Sequence, residues 1–160
     1  MISTKFLKDI YAEVRPIIER QYDDRRTLNA IFMRAWHEGC LDEAWAEFRK
    51  TDGHNLWLTY FIRARGMGDI KIGKSNQVGV RLKSLFTGAS RGLDLIACYP
   101  APIAHEKELH DDFRHLSLCG EWFRPGAELM DHLGMVGCDT SAFTNAVPAH
   151  FSRQYPWRMQ

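Results

Sequence analysis

The sequence predicts an α+β (α/β) chain, with helices first and then the order β-β-α-β-α-α. Three observations carry that reading. Apolar residues keep a helical period across the first fifty positions. The turn cluster Thr51-Asp52-Gly53-His54-Asn55 interrupts it. Beyond the cluster, stretches rich in aromatic and β-branched residues alternate with further helical patterns.

Taken in order, Phe6, Ile10, Val14, Ile17 and Ile18 hold helical spacing, with Pro16 kinking that helix or opening a new one. Leu28, Ile31, Phe32 and Ala35 continue the period, and Gly39 stops it before Leu41, Ala44, Trp45 and Phe48, which predicts an αα-hairpin. Trp57 to Ala64 and Ile70 to Gly73 flank the turn Arg65-Gly66-Met67-Gly68-Asp69 and read as a β-hairpin. Val78 to Phe86 is a helix with Val78, Leu82, Leu85 and Phe86 on one face. A strand over Leu93 to Tyr99 is closed by Pro100 and Pro102, and a helix over about Ile103 to Leu116 turns Leu109 and Phe113 inward. Pro125 opens a last helix reaching Leu133, and an irregular tail follows with Phe143, Phe151, Tyr155 and Trp157.

At 160 residues, with 45% apolar and 26% charged residues, the chain is long enough to bury a core and too apolar to be disordered throughout. The longest apolar runs are a few residues, which excludes a membrane span, and Met1-Ile2-Ser3-Thr4-Lys5 is not a secretory leader, so the expected compartment is cytoplasmic. Cys40, Cys98, Cys119 and Cys138 lie far apart and read as free thiols; Cys98, His110, His115 and Cys119 do not match the spacing of a common zinc finger. The net charge of +1 hides an uneven distribution: residues 57–92 hold seven Lys or Arg against one acid, and residues 93–133 hold eight acids against three bases. That basic block suggests either a phosphate-facing surface or a solvated hairpin matched in space by the acidic block.

Two charges fall where packing would not put them. Arg81 follows Val78 by three and precedes Leu85 by four, so the spacing turns it inward. Glu106 precedes Leu109 by three and Phe113 by seven, and shares their stripe. They either pair with each other or converge on a substrate. For phosphodiester hydrolysis, Glu106 offers a hard ligand to a divalent cation, and Arg81 a permanently charged fork for the phosphate. Tyr60, Lys71 and His110 are the candidates for a base. Tyr60 otherwise reads as a core aromatic, and Lys71, pointing opposite to Ile70 and Ile72, as a solvated lysine.

The block Tyr60 to Phe123 resembles the GIY-YIG nuclease superfamily, in the branch with a KIG second motif and a GEWF segment that is common in phage and bacterial proteins. Leu58-Thr59-Tyr60 stands at the GIY position, Lys71-Ile72-Gly73 at the YIG position, and Arg81-Leu82 at the helix arginine. Glu106-Lys107-Glu108-Leu109-His110 carries the glutamate, Asn76 the polar position after the second motif, and Gly120-Glu121-Trp122-Phe123 the branch's last segment. The likeness covers roughly residues 57–133. Leu58 replaces the first motif's glycine, and Lys71 replaces the second motif's tyrosine.

The resemblance implies a three-stranded antiparallel sheet flanked by helices and DNA cleavage with one divalent ion, Mg²⁺ or Mn²⁺, at Glu106. It implies catalytic roles for Tyr60, Lys71, Arg81, Glu106 and His110. DNA-backbone contacts are expected from Arg63, Arg65, Lys74, Asn76 and Lys83. The expected division is a helical region 1–52, a nuclease-like domain 53–133 and a tail 134–160. Target choice would come from residues 1–50, the tail, or a partner protein bound through the N-terminal helices. The alternative is a non-catalytic nucleic-acid- or protein-binding module on the same fold. Gly120-Glu121-Trp122-Phe123 reads as a structural lid with Trp122 and Phe123 in the core.

Overall fold

A computed structural model describes residues 25–51, 55–66, 68–88 and 92–140. The helix expected before residue 25, residues 52–54 of the turn cluster and the four aromatic residues of the tail lie outside them. Among the described residues the chain forms five α-helices and one five-stranded antiparallel sheet, and no helix is long and apolar enough to cross a membrane.

Helix α1 (Arg25–His37) buries Leu28, Ile31, Phe32 and Ala35, the stripe its spacing predicts. It ends where expected. Gly39 takes φ 75°, its N–H bonds Trp36 O, and Cys40 N–H reaches back to Ala35 O, a left-handed cap that a residue with a Cβ would strain. Helix α2 (Leu41–Thr51) returns with Leu41, Ala44, Trp45 and Phe48 buried, and Trp45 stacks on Phe48 at 5.2 Å.

Strands β1 (Leu56–Ala64) and β2 (Ile70–Ser75) form the expected hairpin, and β3 (Leu93–Pro102) pairs with the other edge of β1. Strand β3 runs through Pro100 and Pro102 rather than stopping at them. It is the outer strand, paired on one side only, so a proline costs no ladder bond there. Helix α3 (Val78–Gly88) follows β2. The single helix expected over 103–116 divides into α4 (His105–Asp112) and a 3₁₀ turn (Arg114–Leu116), with Leu109 and Phe113 buried. Two short strands, β4 (Ser117–Cys119) and β5 (Trp122–Phe123), precede α5 (Ala127–Met135).

The sheet order β3-β1-β2-β5-β4 corrects the three-stranded expectation: the three central strands are present, and the Gly120-Glu121-Trp122-Phe123 segment adds two more beyond β2. Phe123 is buried as expected, whereas Trp122 is only half-buried. Side-chain alternation splits the core in two. Leu58, Tyr60 and Ile62 pack with Val78 and Leu82 and with the apolar stripes of α1 and α2. Phe61, Ile70 and Ile72 pack on the opposite face with Leu109, Phe113, Leu129 and Leu133. Helices α1 and α2 are thus built into one core with the sheet.

Candidate functional site

Tyr60 is held from three directions. It is 1% exposed on β1, stands opposite Gly73 on β2, and has the Arg81 guanidinium of α3 within electrostatic and hydrogen-bonding reach. Only glycine fits at 73, because a Cβ there would come within 2.5 Å of Tyr60 Oη. Burial pushes the Tyr60 phenol above its ordinary 10.0, Arg81 draws it back, and the nearby Glu121 and Glu106 add to the rise. Tyr60 is therefore a phenol at neutral pH, a hydrogen-bonding group and not a ready base.

Arg81 is exposed, which corrects its inward assignment. Val78 and Leu82 form the seam of α3. Arg81 sits on the flank of that seam, exposed as a residue but with its guanidinium within reach of the Tyr60 phenol. Among the described residues no ion pair joins it to Glu106.

Glu106, on the first turn of α4, is half-buried. Its Oε1 lies 3.7 Å from His110 Nε2, one helical turn away, and that nitrogen donates to Ile72 O at 2.9 Å. Burial raises the Glu106 carboxyl above its ordinary 4.5, and Glu121 raises it further, against the opposing charges of His110, Lys74 and Lys71. Lys71 is not the solvated lysine its strand position suggested. It is 8% exposed, its Nζ donates to Glu121 Oε2 at 2.7 Å, and it lies 5.9 Å from the Trp122 ring centre. A nitrogen engaged as a donor to a carboxylate is a charge carrier and a poor proton acceptor.

No protein-family model, curated protein or solved structure matches the chain.

Tyr60, Lys71, Arg81, Glu106 and His110 are thus linked around β2 by hydrogen bonds and electrostatic reach. The residues expected to touch DNA divide. Lys83 is exposed on α3, but two residues after Arg81 it leaves the helix on nearly the opposite side. Lys74 lies 5.8 Å from the Trp57 ring centre, donates to Ile103 O at 3.2 Å, and stays within electrostatic reach of Glu106. Asn76 Oδ1 accepts from Trp45 Nε1 at 3.4 Å, tying the β2–α3 loop to α2. Arg63 shares the face of Phe61, with Cys138 in electrostatic reach, so it is turned away from Tyr60. Arg65 at the hairpin end is held by Asp94 through a two-pronged contact of 2.7–3.0 Å. That pairing matches basic block to acidic block and takes Arg65 out of the phosphate-facing set.

Two residues of this region escaped the sequence reading. Asp42 of α2 caps α3 from outside, accepting Gly79 N–H at 2.8 Å and Val80 N–H at 3.1 Å, which fixes the helix that carries Arg81. Glu121 partners Lys71. Its signal was present: a lysine at an inner position of an apolar strand needs an acid, and Gly120-Glu121-Trp122-Phe123 contains one.

Proposed function

We propose that the chain is a metal-dependent DNA endonuclease of the GIY-YIG type, hydrolysing phosphodiester bonds. The contact between Arg81 and Tyr60 supports this most directly. Arg81 reaches the phenol and not Glu106, so an anion-binding fork and a cation-binding carboxylate stay separately available beside one hydroxyl.

In this reading the Arg81 fork takes up negative charge building on the phosphate. Tyr60, within reach of Arg81, would use its O–H to donate to a phosphate oxygen or to orient the attacking water. A divalent ion fits Glu106: its carboxylate is held partly out of water with a second carboxylate nearby, an environment that a cation relieves. Among the described residues no group of three His, Cys, Asp or Glu side chains gathers into a cage. One carboxylate, waters and substrate phosphate are a common way of holding Mg²⁺. Bound there, the ion would supply Lewis-acid stabilisation of the phosphate. Arg81 on α3 and Lys74 at the β2 edge would contact the backbone without reading sequence.

The rival reading, a binding module without cleavage, draws support from Lys71, whose salt bridge with Glu121 leaves the second-motif position without a base. Nicking of supercoiled plasmid with Mg²⁺ or Mn²⁺ separates the two. Cleavage is expected to need the metal and to vanish in Glu106→Ala with the fold intact. Arg81→Lys should lose turnover by about 10²-fold while keeping DNA affinity. Undiminished cleavage by Glu106→Ala sinks the enzymatic reading.

A further inference from the structure

We propose that Glu121 is a positioning residue, fixing the Lys71 ammonium beside Tyr60 as a donor to the scissile phosphate. This rests on the endonuclease reading above. The placement of both groups is over-determined. Ile72 N–H bonds Glu121 O at 3.0 Å, and Lys71 pairs with Trp122 across β2 and β5, so the main chains of the two residues are locked to each other before their side chains meet. The side chains then close a 2.7 Å bridge, with the lysine nearly enclosed and the glutamate about half open. Gly73 is directly opposite Tyr60, and Lys71 opposite Ile62. Lys71 and Tyr60 therefore share one sheet face as diagonal neighbours, a separation long side chains span.

A purely structural bridge at this point would be poorly chosen. An ion pair with one partner nearly enclosed between β2 and β5 is often matched or bettered by apolar side chains of similar volume. What an ion pair adds is a cation of fixed position: a free lysine carries several rotatable bonds, and Glu121 removes that freedom. The effect of Glu121 on both Tyr60 and Glu106 puts the pair among the groups of the candidate site.

The decisive measurement is duplex DNA binding as a function of salt in the Glu106→Gln background, with plasmid cleavage measured in the otherwise wild-type chain. Lost repulsion alone would make Glu121→Gln bind DNA more tightly at an unchanged salt slope. A positioning role predicts weaker binding and a slope shallower by about one phosphate contact, the same loss as in Lys71→Ala. In cleavage, Glu121→Gln should lose kcat about tenfold or more, with Glu121→Asp recovering part of it. Lys71→Met/Glu121→Leu should fold and melt near the wild type, yet keep the binding defect. Tighter binding by Glu121→Gln at unchanged slope, or full binding by that double variant, overturns the proposal. The slope loss in a chain that cuts no DNA upholds the positioning role and removes the endonuclease reading instead.

Discussion

The Tyr60 ring lies directly on Gly73: the two are paired across β1 and β2, and Tyr60 Cζ, Cε2 and Oη all crowd the space a Cβ would take. Tyr60 is fully buried and tethered by Arg81, so it has no route of retreat. Gly73→Ala is expected to cost about 1–3 kcal/mol, the range for overpacking a tight core. Thermal unfolding measures this as a midpoint several degrees lower. Adding Tyr60→Phe should not restore it, because ring carbons as well as the hydroxyl block the site. A Gly73→Ala protein that melts like the wild type would show that Tyr60 is seated elsewhere.

What the sequence made legible was what local periodicity encodes. The stripes Leu28-Ile31-Phe32-Ala35 and Leu41-Ala44-Trp45-Phe48, the hairpin around residues 65–69 and the inward Leu109 and Phe113 all follow from spacing within one element. Strands β4 and β5 were not legible: three and two residues carry no period, and pairing with β2 creates them. The proposed site residues follow the same division. Tyr60, Arg81 and Glu106 were singled out by position in the sequence, but the reach of Arg81 to Tyr60 and the bridge from Lys71 to Glu121, fifty residues away, exist only once the chain is folded.

Asn29 makes a longer-range connection. It sits among the buried residues of α1 at 4% exposure; its Oδ1 accepts Cys98 N–H at 2.7 Å, and its Nδ2 donates to Val136 O at 3.0 Å. One amide thus ties α1 to β3 and to the end of α5. Asn29→Leu removes both partners and leaves a main-chain donor and acceptor buried, at about 1–3 kcal/mol each. Chemical denaturation should show a stability loss of about 2 kcal/mol or more. A loss well under that would mean water replaces the amide.

Acid should loosen the α4–α5 side before the carboxylates respond. Tyr99 Oη bonds His105 Nε2 at 2.7 Å and His132 Nε2 at 3.1 Å, with Arg25 5.7 Å from the Tyr99 ring centre and Glu108 and Asp112 nearby. Burial pushes His132 down to about 4, with His105 and Arg25 adding to the fall, and it lowers His105 as well. Below the ordinary 6.5 the unfolded chain takes up protons that the folded chain refuses, so stability present above that pH is lost as pH falls toward 4. Melting curves between pH 7.5 and 4.5 should descend through that window, and His132→Gln should flatten the descent. Asp94 is held below its ordinary 3.8 by Arg65, so the stability it contributes is kept through this window and lost only at still lower pH.

Glu106→Gln should make the metal-free protein more stable while ending cleavage. The folded-state pKa of Glu106 is raised, chiefly by burial and then by Glu121, so its stabilising contribution is complete below the ordinary 4.5 and is lost as pH rises through the folded value. At pH 7.5 the ionised carboxylate is therefore held at a cost that glutamine does not carry, and the melting midpoint should rise. That difference should shrink toward zero as the pH is lowered below 4.5. Divalent ions invert the comparison. Mg²⁺ or Mn²⁺ at 100 times its dissociation constant should stabilise the wild type by about 2.7 kcal/mol, a gain that a chelator reverses and that Glu106→Gln lacks. A Glu106→Gln protein that melts lower than the wild type without metal would make the contact with His110 the main task of this carboxylate. One that gains the same stability from metal would move the ion elsewhere.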